Sequence, residues 1–220
     1  HAGDFTEWGK AGEVTEFFEW LANVDAPHKI VTPGNHDVWC DKAGEEWCRK
    51  FCKDNGIHYL INEGVTIDGV KFWGSPITPY INEQFAWGKH QEIYEAELFK
   101  HQFPNDNHEW IGKYWEMIGD VDVLITHGPP HKILDKGYQS GLHFGCEVLR
   151  KRVREVKPKL HIFGHVHAGR GHTKKFGVNF HNVAQIVETG GAMWFITSNT
   201  DNPQVIAPPS ELMYRKMRSV

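Results

Sequence analysis

Three short apolar runs of this chain each end in a turn that carries histidine. The turns read Gly34-Asn35-His36-Asp37, His127-Gly128-Pro129-Pro130 and Gly164-His165-Val166-His167, and a similar turn, Gly3-Asp4-Phe5-Thr6, opens the sequence. Runs of Val, Ile and Leu that break at Gly or Pro are typical of buried strands in a parallel sheet. Because the carboxyl ends of parallel strands lie along one edge of a sheet, we expect these polar side chains to converge.

The segments between the apolar runs carry helical spacing, so strands and helices alternate along the chain. This alternation predicts an α/β fold. An Asp-Gly pair between β-branched runs predicts a hairpin. The pattern predicts helices over 13–24, 44–55 and 146–156 and after Asn105, strands at 29–32, 59–61, 121–126, 160–163, 176–186 and 205–206, and the hairpin over 65–73.

The length of 220 residues predicts one domain, which we place at 1–209. Within it, an aromatic-rich excursion covers about 76–119, where Pro76, Pro79 and Pro104 interrupt any regular pattern. A polar tail follows at 210–220.

Composition limits the classes of partner. A net charge of −4 and a pI near 6.4 give no basic footprint for a nucleic-acid backbone, which disfavours a nucleic-acid partner and favours a small phosphorylated substrate. No apolar run approaches the roughly 20 residues that span a bilayer, so no membrane partner is expected. The four cysteines lack CxxC spacing, which favours reduced thiols in a cytoplasmic protein over a zinc cluster or disulfides.

The residue types at the predicted strand ends suit divalent metal ions. Asp4, Asn35, His127, His165 and His167 form a mixed oxygen and nitrogen ligand set, which fits Mn, Fe, Co, Ni or Zn better than calcium. Two such ions sharing the Asp4 carboxylate would clamp the oxygens of an in-line displacement at phosphorus. His36 is then placed to protonate the leaving oxygen or to stabilise charge on the phosphoryl group, with Asp37 orienting its ring.

These four turns, in this order, resemble those of the calcineurin-like metallophosphoesterases. Further residues, including Ile133-Leu134-Asp135, Gly145-Cys146 and 158–165, are similar to the subgroup of metallophosphoesterase-domain brain proteins and their bacterial relatives. The resemblance implies two mixed β-sheets sandwiched with flanking helices. It also implies phosphodiester hydrolysis through a dinuclear metal centre, with nucleotides, including cyclic nucleotides, among the candidate substrates.

The resemblance assigns roles residue by residue. Asp4 bridges the two ions, Asn35, His127 and His165 complete the second, His167 serves the first, and His36 is the leaving-group histidine. The family also carries an Asp-x-His on its first strand, and no residue precedes His1 here, so that strand is expected to be missing from the given chain. Two candidate substrate contacts are Arg170, which fits an exposed loop residue equally well, and His131 at the rim.

Two alternatives to the enzyme stay open at this point. A catalytically weak or silent protein that binds metal or nucleotide as a scaffold is suggested by the absent Asp-x-His. A nuclease of the same superfamily is opposed by the acidic charge balance and by the absence of a basic stripe.

Overall fold

Helices and strands alternate along most of the chain. The computed structural model describes residues 1–41, 43–78, 109–137 and 142–184, together with the backbone of two short strands at 195–196 and 205–206. Its helices are α1 (Ala11–Ala22), α2 (Val38–Asp41), α3 (Glu45–Asp54), α4 (Glu109–Glu116) and α5 (Glu147–Val156). Its strands are β1 (Lys29–Val31), β2 (Ile57–Tyr59), β3 (Glu63–Ile67), β4 (Val70–Ser75), β5 (Val123–Thr126), β6 (Leu160–Phe163), β7 (Gly171–Lys175), β8 (Val178–Asn182), β9 (Phe195–Ile196) and β10 (Val205–Ile206).

Six of the strands form one mixed sheet in the order β3-β4-β5-β6-β8-β7. The four inner strands are parallel, and β3 and β7 run antiparallel at the two edges. Thr126 pairs with Ser75 on one side and with Phe163 on the other, and Phe163 pairs with Asn182. The parallel strands therefore end side by side, and the turns that follow them share one edge of the sheet.

A second, smaller sheet carries the turn that contains Asn35. Strands β1 and β2 pair in parallel, and Ala2 bridges to Thr32 so that the first residues extend along β1. Ala2 joins a buried cluster with alternate residues of β5 and β6, and Ile30 packs against that cluster. The small sheet therefore lies against one face of the large one, which brings the ends of β1 and β5 together.

The helices pack against the opposite face of the large sheet. Leu124, between two residues of the first cluster, belongs instead to a larger cluster with side chains of α1, α3, α4 and α5. This opposite placement of neighbouring residues is the two-residue alternation of a strand that is buried on both faces. The predicted α/β fold with a mixed sheet and flanking helices is confirmed.

The predicted elements agree with the observed ones to within a few residues, but the short helix α2 and the strands β7 and β9 were not predicted. The hairpin turn at Asp68-Gly69 is present, with φ of 48° and 81°. Strand β7 was not predicted, because its Gly-His-Thr-Lys-Lys sequence has no apolar alternation. It lies at an exposed sheet edge, where lysines are common and hydrophobic residues are not required. Residues 79–108, most of the predicted excursion, and the predicted tail at 210–220 lie outside the described residues.

All four cysteines are free thiols, as predicted, and all four are buried. Among the described residues, none of the helices combines the length and the apolar character needed to cross a bilayer.

His161 is a fully buried imidazole in the middle of β6, and it makes the stability of the fold depend on pH. Thr126 donates its hydroxyl hydrogen to the carbonyl of Gly128, so His161 Nε2, at 2.8 Å, donates to Thr126 Oγ1. Burial lowers the pKa of His161 to about 3, well below the usual value near 6.5. As pH falls below about 6.5, the unfolded chain takes up a proton that the folded chain refuses until about 3.

We therefore expect the free energy of unfolding to fall by about 2 kcal/mol through this group between roughly pH 7 and pH 5. Urea unfolding of the wild type and of His161→Gln at both pH values measures the effect. The glutamine variant retains a donor for Thr126 but does not titrate, so its loss of stability in this range should be smaller than that of the wild type. An equal loss in both proteins would contradict the assignment to His161.

Candidate metal centre

Four potential ligand atoms meet at the edge where β1, β5 and β6 end. His127 Nε2 lies 2.9 Å from Asn35 Oδ1, 3.1 Å from Asp4 Oδ2 and 3.2 Å from His165 Nδ1. His127 and Asn35 are 0% and 3% exposed, whereas Asp4 and His165 are partly buried. The structure therefore brings together four of the five metal-ligand residues that the sequence predicts.

The protonation of His127 decides what these atoms can bind. Its Nδ1 lies 2.7 Å from the carbonyl oxygen of Ala2, to which only an N–H can donate. Nε2 of the neutral ring then carries a lone pair. The carboxylate, amide and imidazole atoms around it also present lone pairs. Such a buried group of acceptors repels itself unless a proton or a cation sits among them. A divalent ion fits this donor set of two nitrogens and two oxygens.

The charges around this group favour the ionised carboxylate. Burial alone would raise the pKa of Asp4, but the charge of His127 and its hydrogen bond, aided by His165 and by the backbone N–H of His36, bring that pKa well below its ordinary value. Burial lowers the pKa of His127, but the Asp4 carboxylate outweighs it and raises the pKa. Burial, with the neighbouring charge of His127, lowers the pKa of His165 to about 3, so that ring is a neutral ligand near pH 7.

Two of these residues have a left-handed backbone conformation, which residues other than glycine rarely adopt. Asp4 has φ of 55° and His165 has φ of 66°, and Gly3 beside Asp4 has φ of 86°. Left-handed conformations at residues other than glycine cost about 1 kcal/mol or more and collect at functional sites. The turns are therefore bent to direct these side chains into the cluster.

Asp37 holds the turn together from inside. Its buried carboxylate accepts hydrogen bonds from the backbone N–H groups of Gly34 (2.7 Å), Asp4 (2.9 Å) and Thr6 (3.0 Å) and from the Thr6 hydroxyl (2.7 Å). Burial and the nearby Asp4 charge raise the pKa of Asp37 to about 7, against the hydrogen bonds from Gly34 and Thr6, which favour the ionised form. One side chain thus ties the first turn to the second.

The structure corrects the role expected for Asp37 toward His36. His36 Nδ1 lies 2.8 Å from the carbonyl oxygen of Glu7, so a backbone carbonyl orients this ring. The oxygens of Asp37 are instead engaged by Gly34, Asp4 and Thr6. His36 stays next to the ligand cluster, because its backbone N–H donates to Asp4 Oδ1 at 2.9 Å.

Comparison with known proteins shows which family the chain belongs to. A family model described as calcineurin-like phosphoesterase matches residues 1–169 of the 220. The chain belongs to the calcineurin-like phosphoesterase family. The human metallophosphoesterase domain-containing protein 1 is 33% identical over 196 residues, covering 78% of this chain and 54% of that protein. A UPF0046 protein of Caenorhabditis elegans is 32% identical over 217 residues, covering 91% of this chain and 68% of that protein.

This member of the family therefore spans about half of the length of its human relative. Among solved structures, the phosphopantetheinyl hydrolase of Mycobacterium tuberculosis superposes with a TM-score of 0.51 at 17% identity, covering 84% of this chain and 77% of the other. At that identity the similarity concerns the fold alone. It agrees with the α/β architecture described above.

Three predicted residues of this calcineurin-like phosphoesterase stand apart from the cluster of four. His167 and Arg170 are exposed and lie at the start and just beyond the end of a short 3-10 helix, His167–Gly169. Partial burial of its ring lowers the pKa of His167, and the Asp4 carboxylate opposes this shift. His131 is directed elsewhere, with Nε2 3.4 Å from Glu147 Oε1 and Nδ1 3.9 Å from Asp135 Oδ2.

Several groups that shape the site of this family member were not singled out from the sequence. The carbonyls of Ala2 and Glu7 orient two histidines, but a backbone group has no residue type for a pattern to detect. Thr6 is part of the motif Gly3-Asp4-Phe5-Thr6, but the sequence assigns no function to its side chain. Asn182 donates to the carbonyls of Leu134 and Val166 at 2.8 and 2.9 Å, which holds the loop after β5 against the turn after β6. In the sequence, Asn182 is recognisable only as an amide residue in a predicted strand.

Proposed function

We propose that this chain hydrolyses phosphodiesters, with cyclic nucleotides among its substrates, through a centre of two divalent metal ions. The observation that supports it best is the meeting of four lone-pair atoms around His127 Nε2, with its Nδ1 hydrogen committed to the Ala2 carbonyl. Membership of a phosphoesterase family supports the reaction class. The choice of diester and of nucleotide extends beyond that membership.

The residues divide between the two ions. Asp4, Asn35, His127 and His165 would hold one ion, and His167, with Asp4 as the shared carboxylate, would serve the other. An ion bound among these ligands supplies Lewis acidity to the phosphoryl group. The geometry supports this assignment, because Asp4 Oδ2 lies 3.1 Å from His127 Nε2 while Oδ1 is held by the backbone N–H of His36.

His36 would act as the acid that protonates the leaving oxygen. With Nδ1 donating to Glu7, the ring is fixed in orientation, and Nε2 is the nitrogen that exchanges a proton with a leaving oxygen. Arg170, exposed directly after the 3-10 helix, would contact a substrate phosphate, and His131 would lie at the rim. Asp37 would position the turn without touching substrate.

The proposal is tested by hydrolysis of bis(4-nitrophenyl) phosphate after metal removal and after adding back Mn²⁺. Activity should return with the metal in the wild type, and Asn35→Ala should lower it by about 10²-fold or more, because one ligand is lost. Asn179→Ala, which removes an amide at the far end of β8, is the matched control and should keep wild-type activity. Wild-type turnover in Asn35→Ala would overturn the proposal.

Metal stoichiometry separates the enzyme from a silent scaffold. Elemental analysis of the Mn²⁺-loaded protein should give about two ions per chain, and His167→Ala should lower the content to about one. His172→Ala, at an exposed edge-strand histidine, serves as control. One ion or none in the wild type, without turnover of cyclic nucleotides or the aryl diester, would favour the scaffold.

A further inference from the structure

A basic groove lies between α5 and the turn that joins β7 to β8. It has a cavity volume of about 720 Å³, and its lining includes Arg150, Lys151, Arg154, Lys157 and Phe176. Four cations thus converge in one groove of a chain whose net charge is −4. The concentration of positive charge runs against the overall charge balance, so it points to a local anionic ligand.

Two carboxylates, Glu147 and Glu155, also line the groove, so four positive charges face two negative ones, but both carboxylates pair with other residues. Glu155 pairs with Arg152, 3.1 Å away, and Glu147 approaches His131 at 3.4 Å. Throughout the described part of the chain, no carboxylate forms an ion pair with the four cations of the groove. Arg150 Nε is buried and has no hydrogen-bond partner among the described residues. Because this nitrogen is shielded from solvent, an anion in the groove would have to bind the other N–H groups of the guanidinium.

Phe176 arranges the two arginines for binding. It stands at the hairpin tip with φ of 55° and 39% exposure, and its ring centroid lies 5.7 Å from the guanidinium carbon of Arg150 and 4.8 Å from that of Arg154. A ring under two guanidinium groups restricts their side-chain rotation and leaves the in-plane N–H groups for acceptors. The groove therefore presents its donors already oriented.

The spacing of the cations indicates the shape of the ligand. Arg150, Arg154 and Lys157 follow one face of the chain at intervals of four and three residues. Arg150 and Arg154 are separated by about 6 Å along α5, at a rise of 1.5 Å per residue, and Lys157 follows directly after the helix end, so the row is longer than a single phosphate. A linear chain of phosphates matches both this length and the charge.

We propose that the groove is a binding site for a linear polyphosphate, either free or as the phosphate chain of a nucleotide, separate from the metal centre. The guanidinium groups of Arg150 and Arg154 bind the phosphate oxygens through charge-assisted hydrogen bonds, and the two lysines neutralise the remaining charge.

Tripolyphosphate binding to the full chain, followed by isothermal titration calorimetry, tests the proposal. The titration is repeated in Asn35→Ala, where a groove site persists and binding at the metal centre is weakened. The double variant Arg150→Gln/Arg154→Gln should lower the affinity by about tenfold or more, and Phe176→Leu should lower it by a smaller factor. Lys50→Gln, on the exposed face of α3, is the control for a lost surface charge and should bind as the wild type does.

Two results would overturn the proposal. One is equal tripolyphosphate affinity in the wild type and in the double arginine variant, with both folded by circular dichroism. The other is loss of binding in Asn35→Ala, which places the anion at the metal centre. Vesicles of phosphatidylcholine with phosphatidylserine distinguish a lipid headgroup as the source of phosphate. Binding of these vesicles without binding of tripolyphosphate would contradict a soluble polyphosphate ligand.

Discussion

Replacing Gly34 with alanine is expected to abolish metal-stimulated hydrolysis while leaving the chain folded. A Cβ at this position would lie 2.3 Å from Asp4 Oδ1, 2.4 Å from the Asp4 nitrogen and 2.5 Å from His127 Cε1. All three atoms belong to metal-ligand candidates, two in side chains and one in the backbone, so the new methyl group must displace the cluster. Overpacking of this kind costs about 1–3 kcal/mol, and the displaced ligands should lower activity by about 10²-fold or more.

The matched control for this substitution is Gly12→Ala. A Cβ at residue 12 meets nothing within 4 Å, and the position lies in the first turn of α1. Alanine in a helix is favoured over glycine by up to about 1 kcal/mol, so this variant should be as stable as the wild type or slightly more, with full activity. Metal-dependent turnover and Mn²⁺ content of both variants give the comparison. Turnover of Gly34→Ala within about threefold of the wild type would show that the turn relaxes without moving Asp4.

The second large effect is expected for Asp37→Ala, and it falls on stability. The substitution leaves the backbone N–H groups of Gly34, Asp4 and Thr6 without this acceptor, and the Thr6 hydroxyl keeps only the carbonyl of His36, at 3.2 Å. Each unsatisfied donor costs about 1–3 kcal/mol where water does not reach it, and breaking a buried charged network typically costs about 3–5 kcal/mol in total. Metal binding should weaken as well, because Asp4 and Gly34 lose a common anchor.

Urea unfolding measured by circular dichroism tests this expectation against Asp25→Ala, an exposed position where little change is expected. Asp37→Asn should fall between the two, since its amide oxygen still accepts while its NH₂ group meets N–H donors. If Asp37→Ala unfolds within about 1 kcal/mol of the wild type, the carboxylate is not what joins the two turns.

The sequence was sufficient for the architecture because the strands are buried on both faces and read as continuous apolar runs. Leu124 and its neighbours in β5 pack into different clusters, so each position selects an apolar side chain. The same reasoning fails for β7, because this edge strand is largely exposed and its polar residues show no alternation of apolar and polar side chains.

For the candidate site, sequence reasoning reached the residues that converge but not the contacts that orient them. The order of the motifs and the rule for parallel strands were enough to bring Asn35, His127 and His165 together with Asp4. The partner of His36 was assigned to its neighbour Asp37, because adjacent residues suggest adjacent side chains. The turn instead directs that carboxylate inward, and a carbonyl from a distant segment takes its place. Tertiary proximity of a backbone group leaves no trace in the residue types.

The hydrogen bond from His127 Nδ1 to the carbonyl of Ala2 bears on how this site tolerates mutation. A carbonyl oxygen is present whatever residue stands at position 2, so no single side-chain replacement there deletes the acceptor. The tautomer of His127 is in that sense protected against point substitution, provided that the main chain keeps its path. Asp37 is the opposite case, because three backbone N–H donors depend on one replaceable carboxylate. Random mutagenesis should therefore find position 37 intolerant and position 2 permissive to small side chains.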